Sequence, residues 1–289
     1  MEFLVALAQQ PFLQYALIAG LLASVGCGVM GAYVVVKRIA FIAGGIAHSA
    51  LGGMGAAAYF GFDPLLGALL AALLAAWLIG LVRLYLEAQE DTLIGAMWAI
   101  GMAVGILFIA RTPGYQSDLM SYLFGNILLV SPPTLWFMAM LDMALLVIVA
   151  AYHRQILAVV FDEEHARLRG ISVTFFYLLL LSLVAVTVVL MIQIVGLILV
   201  LALMTLPAAV AGHYLYSLRG MMLVAVLISS LASVMGLALS YVSDLPTGPV
   251  IVLLVAVFYV GSALLRRLLG RRRTHAAVRR AEALEGRHG

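Results

Sequence analysis

The sequence predicts an all-α polytopic membrane protein with about eight or nine transmembrane helices, and three observations carry that reading. Of 289 residues, 65% are hydrophobic and only 10% charged, more apolar side chain than one soluble core of this size can cover. Apolar runs of about twenty residues recur from end to end, each long enough to cross the hydrocarbon as a helix. Within lipid the backbone must satisfy its own hydrogen bonds, and a helix does so within one segment. Thirdly, the basic residues fall where such runs end.

The passes read from these runs are 12–36, 39–60, 64–84, 92–110, 134–152, 172–191, 194–213, 220–242 and 248–266. Between 172 and 213 only Gln193 and Gly196 mark a break, so eight passes with a re-entrant segment stand as the alternative to nine. The first run has no basic leader and no A-x-A-like cleavage site, so it reads as a retained span. DLMSYLFGNILLV, from Asp118, is too short to cross upright and reads as an interfacial or re-entrant helix ended by Ser131, Pro132 and Pro133.

Charge sets the orientation. The one lysine is Lys37, and the arginines crowd the tail, including Arg266, Arg267, Arg271, Arg272, Arg273, Arg279 and Arg280. Because this run directly follows a span, it reads as a cytoplasmic membrane-flanking segment rather than a nucleic-acid patch. With the tail inside, alternation of nine passes also places Lys37, Arg38, Arg83, Arg154, Arg167, Arg169 and Arg219 inside and leaves only Arg111 outside. Glu2, Asp63, Asp118 and Asp244 then give the outer mouth an acidic bias. The domain plan is a transmembrane unit over 1–266, followed by a basic, disordered tail over 267–289.

One inner loop, FDEEHARLRGI over 161–171, carries its own helix punctuation. Asp162 suits the N-cap, Glu163 and Glu164 suit the positive end of the helix, Arg167 and Arg169 suit the negative end, and Gly170 suits the stop. A solvated connector is the plain reading. A compact handle for a soluble motor subunit is the functional one. No G-x-x-x-x-G-K-[ST] segment occurs, so the chain lacks a P-loop, and ATP hydrolysis would have to come from a partner.

Candidate ligands are few. In AFIAGGIAHSALGGMGAAAYFG, residues 40–61, the one ionisable side chain is His48, with Gly44 and Gly52 one turn to either side on its face. Small residues let helices approach closely, and here they are also expected to leave the imidazole open. An ionisable group at this depth costs free energy and commonly faces a pathway. Asp142, near the middle of the fifth pass, needs a partner or a proton. Imidazole and carboxylate together suit divalent zinc or manganese. Cys27, the single cysteine, lies between two glycines and reads as a packed small side chain.

These residues resemble a known family, the membrane subunits of ATP-driven zinc and manganese importers. The resemblance is carried by GAYVVVKRIAFIAGGIAHSALGG from Gly31, SDLMSYLFGNILLVSP from Ser117, FDEEHARLRGI from Phe161, VGLILVLALMTLPAAVA from Val195 and DLPTGPVIV from Asp244. It implies a type II ABC importer-like permease in a bacterial-type inner membrane, working as a homodimer. It also implies a dimer of ATPase subunits bound inside and a metal-binding protein docking outside. Phe161, Asp162, Glu163, Glu164, Ala166 and Gly170 would belong to the coupling helix. Many members carry an aspartate four residues before the histidine, where this chain has Gly44, so Asp142 is expected to supply the carboxylate to His48.

The function expected is import of a divalent transition metal by alternating access, zinc ahead of manganese, with no tightly bound cofactor beyond the transported ion. A permease for iron chelates or a vitamin is the alternative within the class, and an ATP-independent carrier the alternative outside it. An intramembrane hydrolase finds no support, because H-E-x-x-H is absent and His48 and Ser49 point in different directions on a helix.

Overall fold

The computed structural model describes residues 2–86, 90–112, 125 and 127–285. Their elements are α1 (Glu2–Gln9), α2 (Pro11–Lys37), α3 (Ala40–Tyr59), α4 (Pro64–Leu86) and α5 (Glu90–Arg111), then a 3-10 turn at Ile127–Leu129. They continue as α6 (Pro132–Phe161), α7 (Glu163–Leu168), α8 (Val173–Val195), α9 (Leu197–Gly212), α10 (Leu218–Ser243) and α11 (Thr247–Glu285). Among the described residues eight helices are long and apolar enough to cross a membrane, and α9, at sixteen residues, is a shorter apolar helix.

Cross-helix contacts sort the helix ends onto two faces. Lys37 at the end of α2 and Arg83 near the end of α4 both reach Glu163 of α7. Arg219 at the start of α10 reaches His153, two turns before the end of α6. These contacts define one basic face. On the opposite face Phe3 of α1 meets Tyr241 near the end of α10. There too, Val195 and Leu199, flanking the α8–α9 break, line a cavity of about 240 Å³ with Ile127, Leu245 and Pro249. Helix α9 therefore starts on the second face and runs back toward the first, ending where His213 bonds Ser262, well along α11. The segment 172–213 is thus two helices that traverse the bundle in opposite directions, the second of them shorter than the eight candidate spans.

Local chemistry explains the breaks. Pro11 and Pro132 stand in the first turns of α2 and α6, where a missing N–H costs nothing. Gly196, at φ 84 and ψ 155, separates α8 from α9 in a conformation open to glycine. The segment expected as an interfacial helix from Asp118 lies mostly outside the described residues, and its described end forms only the 3-10 turn. Helix α11 runs on to Glu285, and its apolar part ends at Leu268.

Helix α2 is the centre of one half of the bundle, against α6, α9 and α10, and α3 is the centre of the other, against α4 and α5. Both approach their neighbours through glycine. A Cβ at Gly28 would stand 2.7 Å from the backbone nitrogen of Val226 on α10, and one at Gly31 would overlap the Met204 carbonyl of α9. Side chains such as Ile100, Leu107, Leu253 and Val257 point outward, as a lipid-facing surface requires.

The close contacts make a testable distinction. Gly28→Ala should destabilise the purified permease in thermal unfolding, by strain of about 1–3 kcal/mol. Gly95→Ala, where nothing lies within 4 Å of the added carbon, should leave the melting temperature unchanged or raised.

Candidate functional site

Helix α3 brings its histidine into the protein because small residues cover two of its faces. A Cβ at Gly52 would meet the Gly101 carbonyl at 2.9 Å, and one at Gly55 the Gly105 carbonyl at 2.6 Å, so α5 lies almost backbone to backbone on α3. Gly53 gives α4 the same access from another side, at the Gly67 carbonyl. In this slot His48 is 6% exposed. Its Nδ1 lies 2.8 Å from the Gly44 carbonyl, an acceptor only, so Nδ1 carries the proton and donates. Nε2 keeps its lone pair for a ligand, and the backbone bond fixes the ring in the manner common to metal-binding histidines.

The imidazole is not open, contrary to the expectation. Trp98 of α5 stacks on it with ring centroids 3.9 Å apart and planes 24° apart, and the indole fills the space beside Gly44. The absent side chain at 44 admits a tryptophan from the neighbouring helix rather than a free channel. Trp98 was not legible in the sequence, since its role depends on which helix lies against α3.

Asp142 is equally buried but sits elsewhere. Its carboxylate faces Gly26 of α2, where a Cβ would come within 2.7 Å of Oδ1, beside Met191 and Thr187 of α8. Both carboxylate oxygens are buried without a hydrogen-bond partner among the described residues. The main neighbours of α3 are α4 and α5, whereas α6 lies on α2 and α8. No hydrogen bond or ion pair joins His48 to Asp142, and no group of three or more potential metal ligands forms among the described residues. The two expected ligands are thus joined by no direct bond, and they stand on helices with different main neighbours.

The loop read as a coupling helix is built as its punctuation implied. Asp162 accepts from the His165 backbone N–H at 2.9 Å. At the other end Gly170, at φ 74, donates to Arg167 O while Ile171 N–H reaches Ala166 O at 3.0 Å, which is a Schellman stop. Phe161 and Leu168 are exposed, the latter 82%, while Ala166 is fully buried and Glu163 turns inward to Lys37 and Arg83. Glu164 stands beside Glu163 in the first turn. Of the residues expected to couple, Phe161 can meet a partner directly, whereas Ala166 and Glu163 hold the helix to the bundle.

A second contact set on this face went unread in the sequence. Arg219 Nε donates to His153 Nε2 at 3.2 Å, leaving Nδ1 to donate to Tyr33 Oη at 3.1 Å, so one imidazole joins α2, α6 and α10.

Residues 9–266 match the description of the ABC 3 transport family. The chain belongs to that family. This ABC 3 permease is 40% identical over 263 residues to a probable metal transport system membrane protein of Chlamydia trachomatis, covering 89% of this chain and 90% of the relative. It is 32% identical over 259 residues to the manganese import system permease protein ScaB of Streptococcus parasanguinis, covering 90% and 92%. Among solved structures, the PsaBC complex from Streptococcus pneumoniae, bound to Fab, superposes with a TM-score of 0.82 at 32% identity, covering 90% of this chain and 94% of that one. The permease is a multi-pass membrane protein of a bacterial ABC transporter family. In that family the ATPase is a separate subunit.

The stacked indole shields one face of His48 in this ABC 3 permease. Trp98→Ala should raise the rate at which diethyl pyrocarbonate modifies His48, read by mass spectrometry of the peptide. An unchanged rate would show that the indole does not control access.

Proposed function

We propose that this permease imports a divalent first-row transition metal into the cytoplasm, driven by ABC ATPase subunits on the basic face and supplied by a metal-binding protein on the opposite face. The observation that carries the reading is helix α7. It is a short, doubly capped helix presented between two spans on the face that gathers Lys37, Arg83 and Arg219. A carrier without a motor has no need of such a handle. Two copies of the permease would enclose the pathway, and ATP-driven displacement of α7 would alternate access to it.

His48 is the proposed pathway ligand through Nε2, with Trp98 moving aside to admit the ion. Asp142 is proposed as a second, separate stop, since its orphaned carboxylate oxygens offer hard donors at the α2–α6–α8 contact. Weak sites in series suit transport, because the ion must leave as well as enter. The imidazole alone favoured zinc. The relative named for manganese import supports manganese as the first cargo to test, with zinc as competitor.

The test is ATP-dependent uptake of radioactive manganese into proteoliposomes holding the permease, its ATPase and its binding protein. Uptake should require all three and be inhibited by zinc, and His48→Ala and Asp142→Asn should each lower it by at least about tenfold. Wild-type uptake by both variants would refute the ligand assignment, and uptake without the ATPase would refute the motor.

A further inference from the structure

The loop helix α7 does not depend on its ion pairs to be a helix. Asp162 caps one end and the Gly170 stop closes the other, each through bonds within residues 162–171. The contacts of Glu163 are therefore free to serve attachment, and they reach far along the chain. Lys37 Nζ lies 2.6 Å from Glu163 Oε1 and also donates to Val159 O of α6 at 2.9 Å. Its side chain is only 9% exposed, so the ammonium has left most of its water and depends on these two acceptors. Arg83 of α4 reaches the same Oε1 at 3.4 Å and lies over the Tyr177 ring of α8, 4.7 Å from its centroid.

What Lys37 is attached to gives the pair its interest. Helix α2 ends at Lys37, and Arg38 follows in the left-handed region at φ 62. The Arg38 and Ile39 backbone N–H groups close back onto Val35 O and Val34 O at 3.1 and 2.9 Å, so the turn is tight. Helix α3 begins at Ala40, and His48 stands eight residues on, about 12 Å along the axis. No slack segment separates the ammonium from the helix that holds the imidazole.

We infer that Lys37 is a positioning residue that fastens α7 to the α2–α3 junction through Glu163, so that a displacement of α7 carries α3 and His48 with it. The inference rests on the reading of α7 as the helix the ATPase moves. Arg83 steadies the same carboxylate from α4 and keeps it turned toward the bundle. In mechanical terms the ion pair makes one rigid path from the ATPase surface to His48.

The experiment uses the complete transporter in proteoliposomes and measures copurified ATPase, ATP hydrolysis, and metal imported per ATP. Lys37→Met should keep its ATPase subunits and continue to hydrolyse ATP while import per ATP falls by about tenfold. Lys37→Arg, which preserves the charge, should restore import per ATP to within about twofold. Unchanged import per ATP in Lys37→Met would overturn the inference. So would loss of the ATPase from the purified complex, because the pair would then build the docking surface instead of transmitting through it.

If the wild-type complex imports no metal, the transport reading fails, and amide hydrogen exchange decides the attachment alone. Faster exchange in Lys37→Met at both 36–43 and 163–168 supports it, and faster exchange confined to 163–168 contradicts it.

Discussion

The backbone of α3 lies against the backbones of α4 and α5, and the candidate pathway depends on that contact. Ordinary side chains at Gly52, Gly53 and Gly55 would strike the Gly101, Gly67 and Gly105 carbonyls. Lipid offers no hydrophobic drive for helices to associate, so dispersion between closely apposed surfaces has to supply it. The same small residues that allow the approach leave room for one large group from each side. From α3 that group is His48, and from α5 it is Trp98. The imidazole is oriented by its own backbone and covered by an indole, with one nitrogen uncommitted.

Charge is confined as strictly as volume. The basic side chains that the bundle engages, Lys37, Arg83 and Arg219, meet acceptors on one face, where α7 also lies. Asp142 is the exception, an acid within the bundle without a bonding partner among the described residues. A group so placed is costly unless it is protonated or meets a cation, and that cost is what made it a candidate for the pathway.

Local features were legible in the sequence and relations between distant helices were not. The spans, the break at Gly196, the caps of α7 and the gathering of basic residues on one face follow from residue type and near-neighbour spacing. The depth of His48 was legible too. Its cover was not, because nothing in α3 shows that α5 presents Trp98 opposite Gly44. Whether Asp142 lies beside His48 was not legible for the same reason. Order along the chain makes the fifth pass available, and helix packing gives it to α2 and α8 instead. Glu163 was read as a residue of the docking surface, yet its carboxylate is taken by cations that lie 126 and 80 residues earlier in the chain.

The most direct test of the central claim, that α7 is a handle on the cytoplasmic face, is to locate it. Single cysteines at Leu168, which is 82% exposed, and at Phe62, 72% exposed on the opposite face, would be introduced with Cys27 replaced by serine. A membrane-impermeant maleimide should label Leu168→Cys only in inverted vesicles and Phe62→Cys only in intact cells or spheroplasts. Labelling of Leu168→Cys from outside would place the handle on the wrong side of the membrane and contradict the account.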